Sequence, residues 1–317
     1  LEWISNAGKG VTAYVDNVSN KPLLAKEPAP GKIVSEKKDT AIMTTTLTLS
    51  NGVKVILKPT TFKNDQILIN GYHFGGTSLA SDADFASANM ADNVIGNSGL
   101  ADFNEIQLGK LLSGKNVHIA PNISETTVGI NGSSSPKDLE TALQLVYLYF
   151  TQPRKDADIW QSTMTQTKSV LANRSLDPTS VFQDTVSAVL SNHNFRRMIP
   201  STERLDKASL DKAYGFYKDR FADANGFTFT LVGSFEVDKI KPLLEKYLGG
   251  LPSGKGDETY KNLGIHIPAG QLTKEVHKGI GDKSSVQLVF SGDYDYNADN
   301  NLQVDALNEI LNIKLIE

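Results

Sequence analysis

Alternating apolar and polar positions predict a β-hairpin around residue 50. The alternating apolar residues are Leu47, Leu49, Val53, Val55 and Leu57, and they lie on either side of Ser50-Asn51-Gly52. Asn and Gly tolerate the positive φ angles of a tight hairpin turn, so Asn-Gly between two such runs is a strong turn signal. A further strand is predicted from Gln66 to Phe74, where Gly75-Gly76 ends it.

Apolar residues at helical spacing predict most of the chain that follows. Helices are expected at about 82–95 and 102–112, and a strand pair at about 116–120 and 126–131. Four helices come next, and they begin near Pro136, before Trp160, at Pro178 and near Ser209. The first and third have a Ser or Asp directly before a proline, which is typical of a helix start. A strand at about 227–232 and a helix at about 236–248, stopped by Gly249-Gly250, complete the run.

The order strand, strand, helix then begins again. Strands are predicted near 271–277 and 285–291, and a helix from about Ala298. Residues 45–95 open in the same order, which indicates an internal repeat. We expect an α+β fold, an antiparallel sheet covered by helices. Three parts are predicted: the tail of a preceding segment and a linker at 1–38, with a strand at 11–15, a domain at 39–262, and the truncated start of a second repeat at 263–317.

Both ends of the sequence lead us to expect a piece of a longer protein. The chain begins with Leu1 and closes with an uncapped helical pattern at 308–317. The composition indicates a globular protein, for which 39% hydrophobic and 21% charged residues are typical. A net charge of −4 gives no basic field for nucleic acid, and no apolar run approaches the roughly 20 residues of a membrane helix. The absence of cysteine excludes disulfides and thiol nucleophiles.

Few residues carry a recognisable chemistry by spacing alone. The five histidines, His73, His118, His193, His266 and His277, are nowhere three to five residues apart, so no helix presents a metal-binding pair. The chain has neither a Gly-x-Ser-x-Gly elbow nor a phosphate-binding loop. Oxygen ligands alternate from Asp293 to Asp299 as in a calcium loop, but Ala298 and Val304 stand where that loop needs Gly and Glu. The alternative is a polar turn in which Asn297 or Asp299 caps the helix that follows.

Several landmarks, taken in order, resemble the pitrilysin/insulinase family of zinc metallopeptidases. The hairpin at 47–55 resembles the family's opening hairpin, and the later landmarks are 197–205, 216–225, 229–235 and 247–252. Residues 309–317 also look like a helix of the family's next repeat. The resemblance covers about 42–317, and it rests on the order and spacing of patterns that are individually unspecific.

The resemblance also locates the family's zinc site in this sequence. Active members carry His-x-x-Glu-His on the first helix after the hairpin, because residues four apart share one helix face and reach one ion. The corresponding positions are Ala88, Ala91 and Asp92, or, one residue earlier, Ser87, Met90 and Ala91. The family's distal glutamate and the one before it correspond to Asn173 and Gln166. Methyl groups and amides are poor zinc ligands, so the resemblance implies no catalytic residue, cofactor or metal ligand in this chain.

The resemblance therefore implies the inactive, C-terminal half of a bacterial zinc metalloendopeptidase. Such a half would form the substrate chamber and bind peptide, while an upstream repeat of the same chain supplies zinc and catalysis. The expected partners are that catalytic half and the peptide substrate, with no nucleic acid and no membrane insertion. Bacterial relatives often work outside the cytoplasm, so a periplasmic or other extracytoplasmic location is expected. The alternative is a stand-alone structural or assembly subunit with a degenerate peptidase fold.

Overall fold

The computed structural model describes residues 21–254, 256 and 258–316, the last without its side chain. The chain divides into two compact units. The first comprises the residues up to Arg174 together with Ile199–Gly264, and the second comprises Ser175–Met198 together with the residues from Ile265 onward. The predicted strand at 11–15 lies outside the described residues. The division into 1–38, 39–262 and 263–317 remains a prediction.

A seven-stranded sheet with the order β1-β2-β3-β7-β4-β6-β5 is the centre of the first unit. Its strands are β1 Ile33–Asp39, β2 Thr44–Leu49, β3 Lys54–Pro59, β4 Ile67–Phe74, β5 Val117–Ile123, β6 Thr127–Ser134 and β7 Thr228–Gly233. All neighbouring strands pair antiparallel except β3 and β7, which are parallel. The predicted α+β class is confirmed, and the sheet is mixed through that one pairing.

The hairpin is confirmed where Asn-Gly predicted it. β2 and β3 pair antiparallel, and Gly52 has a φ of +85°, which a residue with a side chain rarely adopts. Asn51 also fixes the turn to a distant segment, because its Nδ2 donates to the carbonyl of Leu248 at 2.8 Å. Strand β1 replaces the last part of the predicted linker. It was not predicted because all its residues except Ile33 are exposed and four of the seven are charged, so no alternation marks it.

Helices cover one face of this sheet. The helices of the first unit are α1 Phe85–Ala88, α2 Ala91–Gly96, α3 Glu105–Leu111, α4 Leu139–Thr151, α5 Ala157–Arg174, α7 Thr202–Leu205, α8 Leu210–Arg220 and α9 Val237–Leu243, and those of the second unit are α6 Pro178–Leu190 and α10 Ala298–Ile316. Gly76–Leu79 and Pro136–Asp138 form 3₁₀ turns, and Leu244–Leu248 continues α9 as a π-helix. In the described part of the chain, none of the helices is both long and apolar enough to cross a membrane.

The core lies between the sheet and these helices. Phe150 of α4 packs against Phe227 and Phe229, with ring centroids 5.0 and 6.4 Å apart. Gly71 of β4 is required here, since a Cβ at that position would lie 2.4 Å from the Phe229 ring. Tyr217 of α8 is fully buried beside Phe221, at a centroid distance of 4.4 Å. Aromatic packing of this kind adds to the area that the sheet face buries.

Three predicted elements differ from the structure: one helix and two strands. The single helix expected at 82–95 is two short helices, because the chain makes a tight turn at Asn89-Met90, where the Met90 N–H donates to Ser87 three residues back. The strands predicted at 271–277 and 285–291 do not form: the described residues there have no ladder hydrogen bonds and are almost all exposed. Their alternation is real, but a strand needs a partner edge to satisfy its backbone groups. The helix predicted from Ala298 is confirmed as α10.

Candidate functional site

The positions that correspond to the zinc motif lie on α1 and α2. Ala88 and Ala91 are buried, with 1% and 0% of their surfaces exposed, so their methyl groups face packed protein. Asp92 is in the first turn of α2 and is the only ionisable side chain of the three. In the register one residue earlier, the Ser87 hydroxyl accepts a hydrogen bond from the N–H of Ser209 at 3.0 Å. That register adds no ionisable ligand.

Asp92 joins α2 to the end of a strand. Its Oδ2 accepts the N–H of Ile123 at 2.9 Å, and its Oδ1 accepts the N–H of Asn93 at 2.8 Å. Ile123 ends β5, which is an edge strand of the sheet. Burial raises the pKa of the Asp92 carboxyl, although the two N–H groups oppose this shift. The carboxylate is therefore already engaged in joining α2 to β5.

The opposite helix, α5, directs its amides away from these positions. Gln166 and Asn173 are both exposed, and the Asn173 Nδ2 donates to the Ser169 carbonyl of its own helix at 3.0 Å. Between α2 and α5 lies an apolar cluster of four buried residues: Met90, Val94, Met164 and Leu205. We call it the methionine cluster. Thioether and methyl groups fill this space with no charge to hold a divalent ion.

The methionine cluster was missed from the sequence. In the sequence, Met164 is only one of many apolar residues at helical spacing, and Met90 stands out only as a motif position. The pairing of the two could not be predicted, since it requires α5 to pack on α2, and 74 residues separate these methionines in the sequence.

The residues around these positions do not fit zinc. Within the described residues, no group of three His, Asp or Glu side chains comes together as a metal site. His73 is the buried histidine: its ring stacks on Phe227 at 5.4 Å, and its Nδ1 lies 2.6 Å from the Phe74 carbonyl oxygen. Its Nε2 lies 3.4 Å from the Gly256 carbonyl oxygen, so both ring nitrogens face backbone carbonyls. Zinc in proteins needs three or four converging N, O or S ligands, and Asp92 alone cannot supply them.

The calcium-like pattern from Asp293 to Asp299 contains a helix cap. The Asn297 Oδ1 accepts the N–H of Asn300 at 2.8 Å, at the start of α10. The Asn300 side chain in turn donates to the Asp295 carbonyl at 2.7 Å. These bonds satisfy backbone groups of a helix N-terminus, which is the role predicted for Asn297.

A cleft opens beside Asp92. It has a volume of about 400 Å³ and lies between α2, α3 and β5, with Glu105, His118 and Tyr149 among its polar residues. Burial raises the pKa of Tyr149 to about 12, so its hydroxyl stays protonated at neutral pH. The described lining holds no Ser, Thr or Lys, the hydroxyl and amine nucleophiles of covalent hydrolases. The cleft presents carboxylate, imidazole and phenol groups that can form hydrogen bonds with a ligand.

The sheet face opposite the helices is open. Alternate residues of β4 point to this face, and Leu68, Tyr72 and Phe74 are 50%, 42% and 48% exposed. Between them, Asn70 donates to Asn131 at 2.6 Å, in a ladder that Asn131 continues by donating to Asn122 at 3.0 Å. We call this surface of β4, β5 and β6 the open face. Exposed aromatic side chains beside asparagine amides are typical of polypeptide-binding surfaces.

Comparison with known proteins finds a matching peptidase family and relatives that are named zinc proteases. Residues 207–313 match the family described as the peptidase M16 inactive domain. A zinc protease PQQL-like protein of Arabidopsis thaliana is 30% identical over 280 residues, and the match covers 84% of this chain and 26% of the relative. The probable zinc protease PqqL of Haemophilus influenzae is 23% identical over 273 residues, which cover 84% of this chain and 28% of that protein.

Solved structures share the fold. The periplasmic protease PqqL from Escherichia coli has a TM-score of 0.68 at 19% identity, covering 84% of this chain and 29% of that structure. A peptidase M16 inactive domain from Pseudomonas fluorescens has a TM-score of 0.56 at 15% identity, covering 69% of this chain and 53% of that structure. The chain spans between a quarter and three tenths of the length of the PqqL relatives it matches.

Proposed function

Because residues 207–313 match the inactive domain of the M16 peptidase family, we propose that this chain is a non-catalytic part of a zinc metalloendopeptidase. In this proposal the chain forms a wall of the substrate chamber and binds peptide. An upstream repeat of the same protein supplies the zinc ion and the catalytic base, and the chain itself has no peptidase activity.

The methionine cluster is the observation that carries the non-catalytic role. Met90 and Met164 occupy the space between the helix of the degenerate motif and the helix of the distal position. An ion placed there would have to displace buried apolar side chains, and the one carboxylate at the motif positions, Asp92, already accepts two backbone N–H groups. Burying a divalent charge without paired ligands is strongly unfavourable.

Zinc content and hydrolysis test this part directly. After incubation with zinc and desalting, we expect far less than one ion per chain by elemental analysis, and no cleavage of an unstructured peptide. The matched variant is Asp92→Ala, which removes the one carboxylate at the motif. Zinc near one per chain that the Asp92→Ala substitution abolishes would overturn the non-catalytic role.

The open face supports the peptide-binding role. Tyr72 and Phe74 form an edge-on aromatic pair with centroids 6.2 Å apart, and no charged residue lies among the alternate side chains Leu68, Asn70, Tyr72 and Phe74. Such a surface can contact many peptide sequences, since aromatic rings supply area and amides supply hydrogen bonds.

Binding of a labelled unstructured peptide, followed by fluorescence anisotropy, tests the open face. Tyr72→Ala and Phe74→Ala should each weaken binding by about 3- to 10-fold, the loss expected for one aromatic contact. Phe62→Ala is the control, because Phe62 is 95% exposed in the loop after β3. Equal binding by all variants would remove the open face from the proposal while leaving the non-catalytic role intact.

The expected partner is the catalytic half, and the expected place is outside the cytoplasm. The E. coli relative is described as periplasmic, which supports an extracytoplasmic location here. A His-x-x-Glu-His motif upstream in the full-length gene product is the expected finding. If the gene encodes no such motif, the stand-alone structural or assembly subunit becomes the better interpretation.

A further inference from the structure

One end of the open face is covered by the chain itself. Residues 258–261, which we call the strap, belong to the first unit and lie beside the end of β4. The ring of Tyr260 rests on the ring of Phe74, with centroids 5.8 Å apart, and the Lys261 N–H donates to the Ser78 hydroxyl at 3.0 Å. The strap therefore occupies part of the surface that the proposed function assigns to a peptide.

A buried arginine receives the first residue of the strap. The Arg220 side chain is 8% exposed, and its Nη1 lies 2.6 Å from Oε2 of Glu258. Its Nη2 lies 2.6 Å from Oδ2 of Asp219, and the guanidinium lies over the Phe216 ring at 5.5 Å. A Cβ at Gly75 would lie 3.5 Å from both Nη1 of Arg220 and Oε2 of Glu258, which places this ion pair at the end of β4.

The Arg220 guanidinium has more donor capacity than Glu258 uses. Among the residues that the structure describes, its buried Nε and Nη1 have no well-aligned hydrogen-bond acceptor, although the Glu258 carboxylate is within ion-pair distance. Buried donors without an aligned acceptor are unfavourable. A carboxylate that is free to align can therefore compete with the tethered one, and Glu258 leaves the pair open to solvent because its side chain is 44% exposed.

The strap is held weakly and stays close to its site. All four strap residues are exposed, and its large apolar side chain, Tyr260, is itself 44% exposed. Segments that bury few apolar groups open locally at a lower free energy than the core does. Just before the strap, Asp223 accepts the N–H of Gly254 at 2.7 Å and the N–H of Gly256 at 2.9 Å. A displaced strap thus remains tethered nearby and competes as an intramolecular ligand.

We propose that the strap is a built-in ligand of the open face, and that a peptide with an acidic residue two positions before an aromatic residue takes its place. The acidic side chain of the peptide binds Arg220 and its aromatic ring rests on Phe74, as Glu258 and Tyr260 do in the closed strap. This inference rests on the proposed peptide-binding role and adds a sequence preference to it. The closed strap lowers the apparent affinity in proportion to the fraction of molecules in which it is open.

Anisotropy with two matched peptides tests the preference. Both are labelled and blocked at their ends, so that no terminal carboxylate is present; one carries Glu-Thr-Tyr between Gly and Ser residues and the other carries Gln-Thr-Tyr. The variant Glu258→Ala/Tyr260→Ala vacates both contacts of the strap. It should bind the Glu-Thr-Tyr peptide about 10-fold more tightly than the wild type does, the gain expected if the strap is closed about 90% of the time. The Gln-Thr-Tyr peptide should gain less than about 2-fold, because it brings no charge to Arg220.

The matched control is Glu236→Ala/Phe62→Ala, which removes the same kinds of side chain from exposed positions. Glu236 is 70% exposed and Phe62 is 95% exposed. This variant should keep the wild-type affinity for both peptides. Equal gains for the two peptides in Glu258→Ala/Tyr260→Ala, or no gain for either, would overturn the preference while leaving peptide binding to the open face intact. If neither peptide binds to any variant, the proposed peptide-binding role fails as well.

Hydrogen exchange of the unmodified chain tests the displacement without a substitution. Saturating Glu-Thr-Tyr peptide should speed exchange of the Lys261 amide by at least ~3-fold, because its bond to Ser78 holds only while the strap is docked. Amides in the middle of β7 should keep their rates. Peptide binding with an unchanged or slower Lys261 amide would show that the peptide does not take the place of the strap.

Discussion

Replacing Asp92 separates its role as a hydrogen-bond acceptor from its role as a charge. In Asp92→Ala, the Ile123 N–H loses its acceptor at the end of β5. A partly buried donor left without a partner costs about 1–3 kcal/mol. Asp92→Asn keeps one acceptor oxygen for the Ile123 N–H, but its amide nitrogen cannot accept the Asn93 N–H. We therefore expect Asp92→Ala to lose about 1–3 kcal/mol at neutral pH, and Asp92→Asn to lose less than Asp92→Ala.

The pH dependence gives the sign of the charge contribution. Since burial raises the pKa of Asp92 in the folded state, the protonated form is favoured by folding. The stability that the protonated Asp92 carboxyl contributes is fully present below the unfolded pKa, about 3.9. This stability is lost as the pH rises through the raised pKa of the folded state. The stability of Asp92→Asn relative to the wild type should thus be greatest at neutral pH and decrease in acid.

Urea unfolding followed by circular dichroism, at neutral and acid pH, measures both effects. Hydrogen exchange of the Ile123 amide reports the local bond. The control is Asp65→Ala, because Asp65 is an exposed carboxylate between β3 and β4. If Asp92→Asn is destabilised as much as Asp92→Ala, the bond to Ile123 is not what this carboxylate contributes.

Three further predictions concern packing, the hairpin and alkaline stability. Met164→Ala should lower the unfolding free energy by about 2–5 kcal/mol, because it leaves a cavity in the methionine cluster. Val170 is 58% exposed on the same helix, so Val170→Ala should change the unfolding free energy by less than about 0.5 kcal/mol. Similar values for the two variants would contradict the buried cluster. Asn51→Ala should cost about 1–2 kcal/mol because it removes the donor to the Leu248 carbonyl, and an unchanged thermal midpoint would show that the turn needs no such tie. Because burial raises the pKa of Tyr149 to about 12, stability should fall as the pH rises from about 10 towards that value, and Tyr149→Phe should lose this decline in alkaline denaturation curves.

The local parts of the fold could be predicted because their signals are local. Asn51-Gly52 predicted the turn between β2 and β3, and Asp177-Pro178 predicted the start of α6, where Asp177 accepts the Ser180 N–H at 2.7 Å. These patterns depend on backbone geometry within a few residues, which the sequence specifies directly. The order of landmarks added the family, which the inactive-domain match confirms.

Other parts depended on neighbours that the sequence does not indicate. Alternation at 285–291 resembled that of β2, but only β2 found strands to pair with. The charged strand β1 shows the reverse, since it forms on the edge of a sheet without an apolar pattern of its own. Strand formation is decided by the partner as much as by the sequence of the strand.

The candidate site divides in the same way. The sequence alone shows that Ala88, Ala91 and Asn173 are poor zinc ligands, because a methyl or an amide group binds zinc poorly in any fold. What occupies the space instead was decided by tertiary structure: Met90 and Met164 meet because α5 packs on α2, and Asp92 reaches Ile123 because β5 ends there. Side-chain chemistry is a property of each residue, whereas a contact between distant residues exists only once the whole chain has packed.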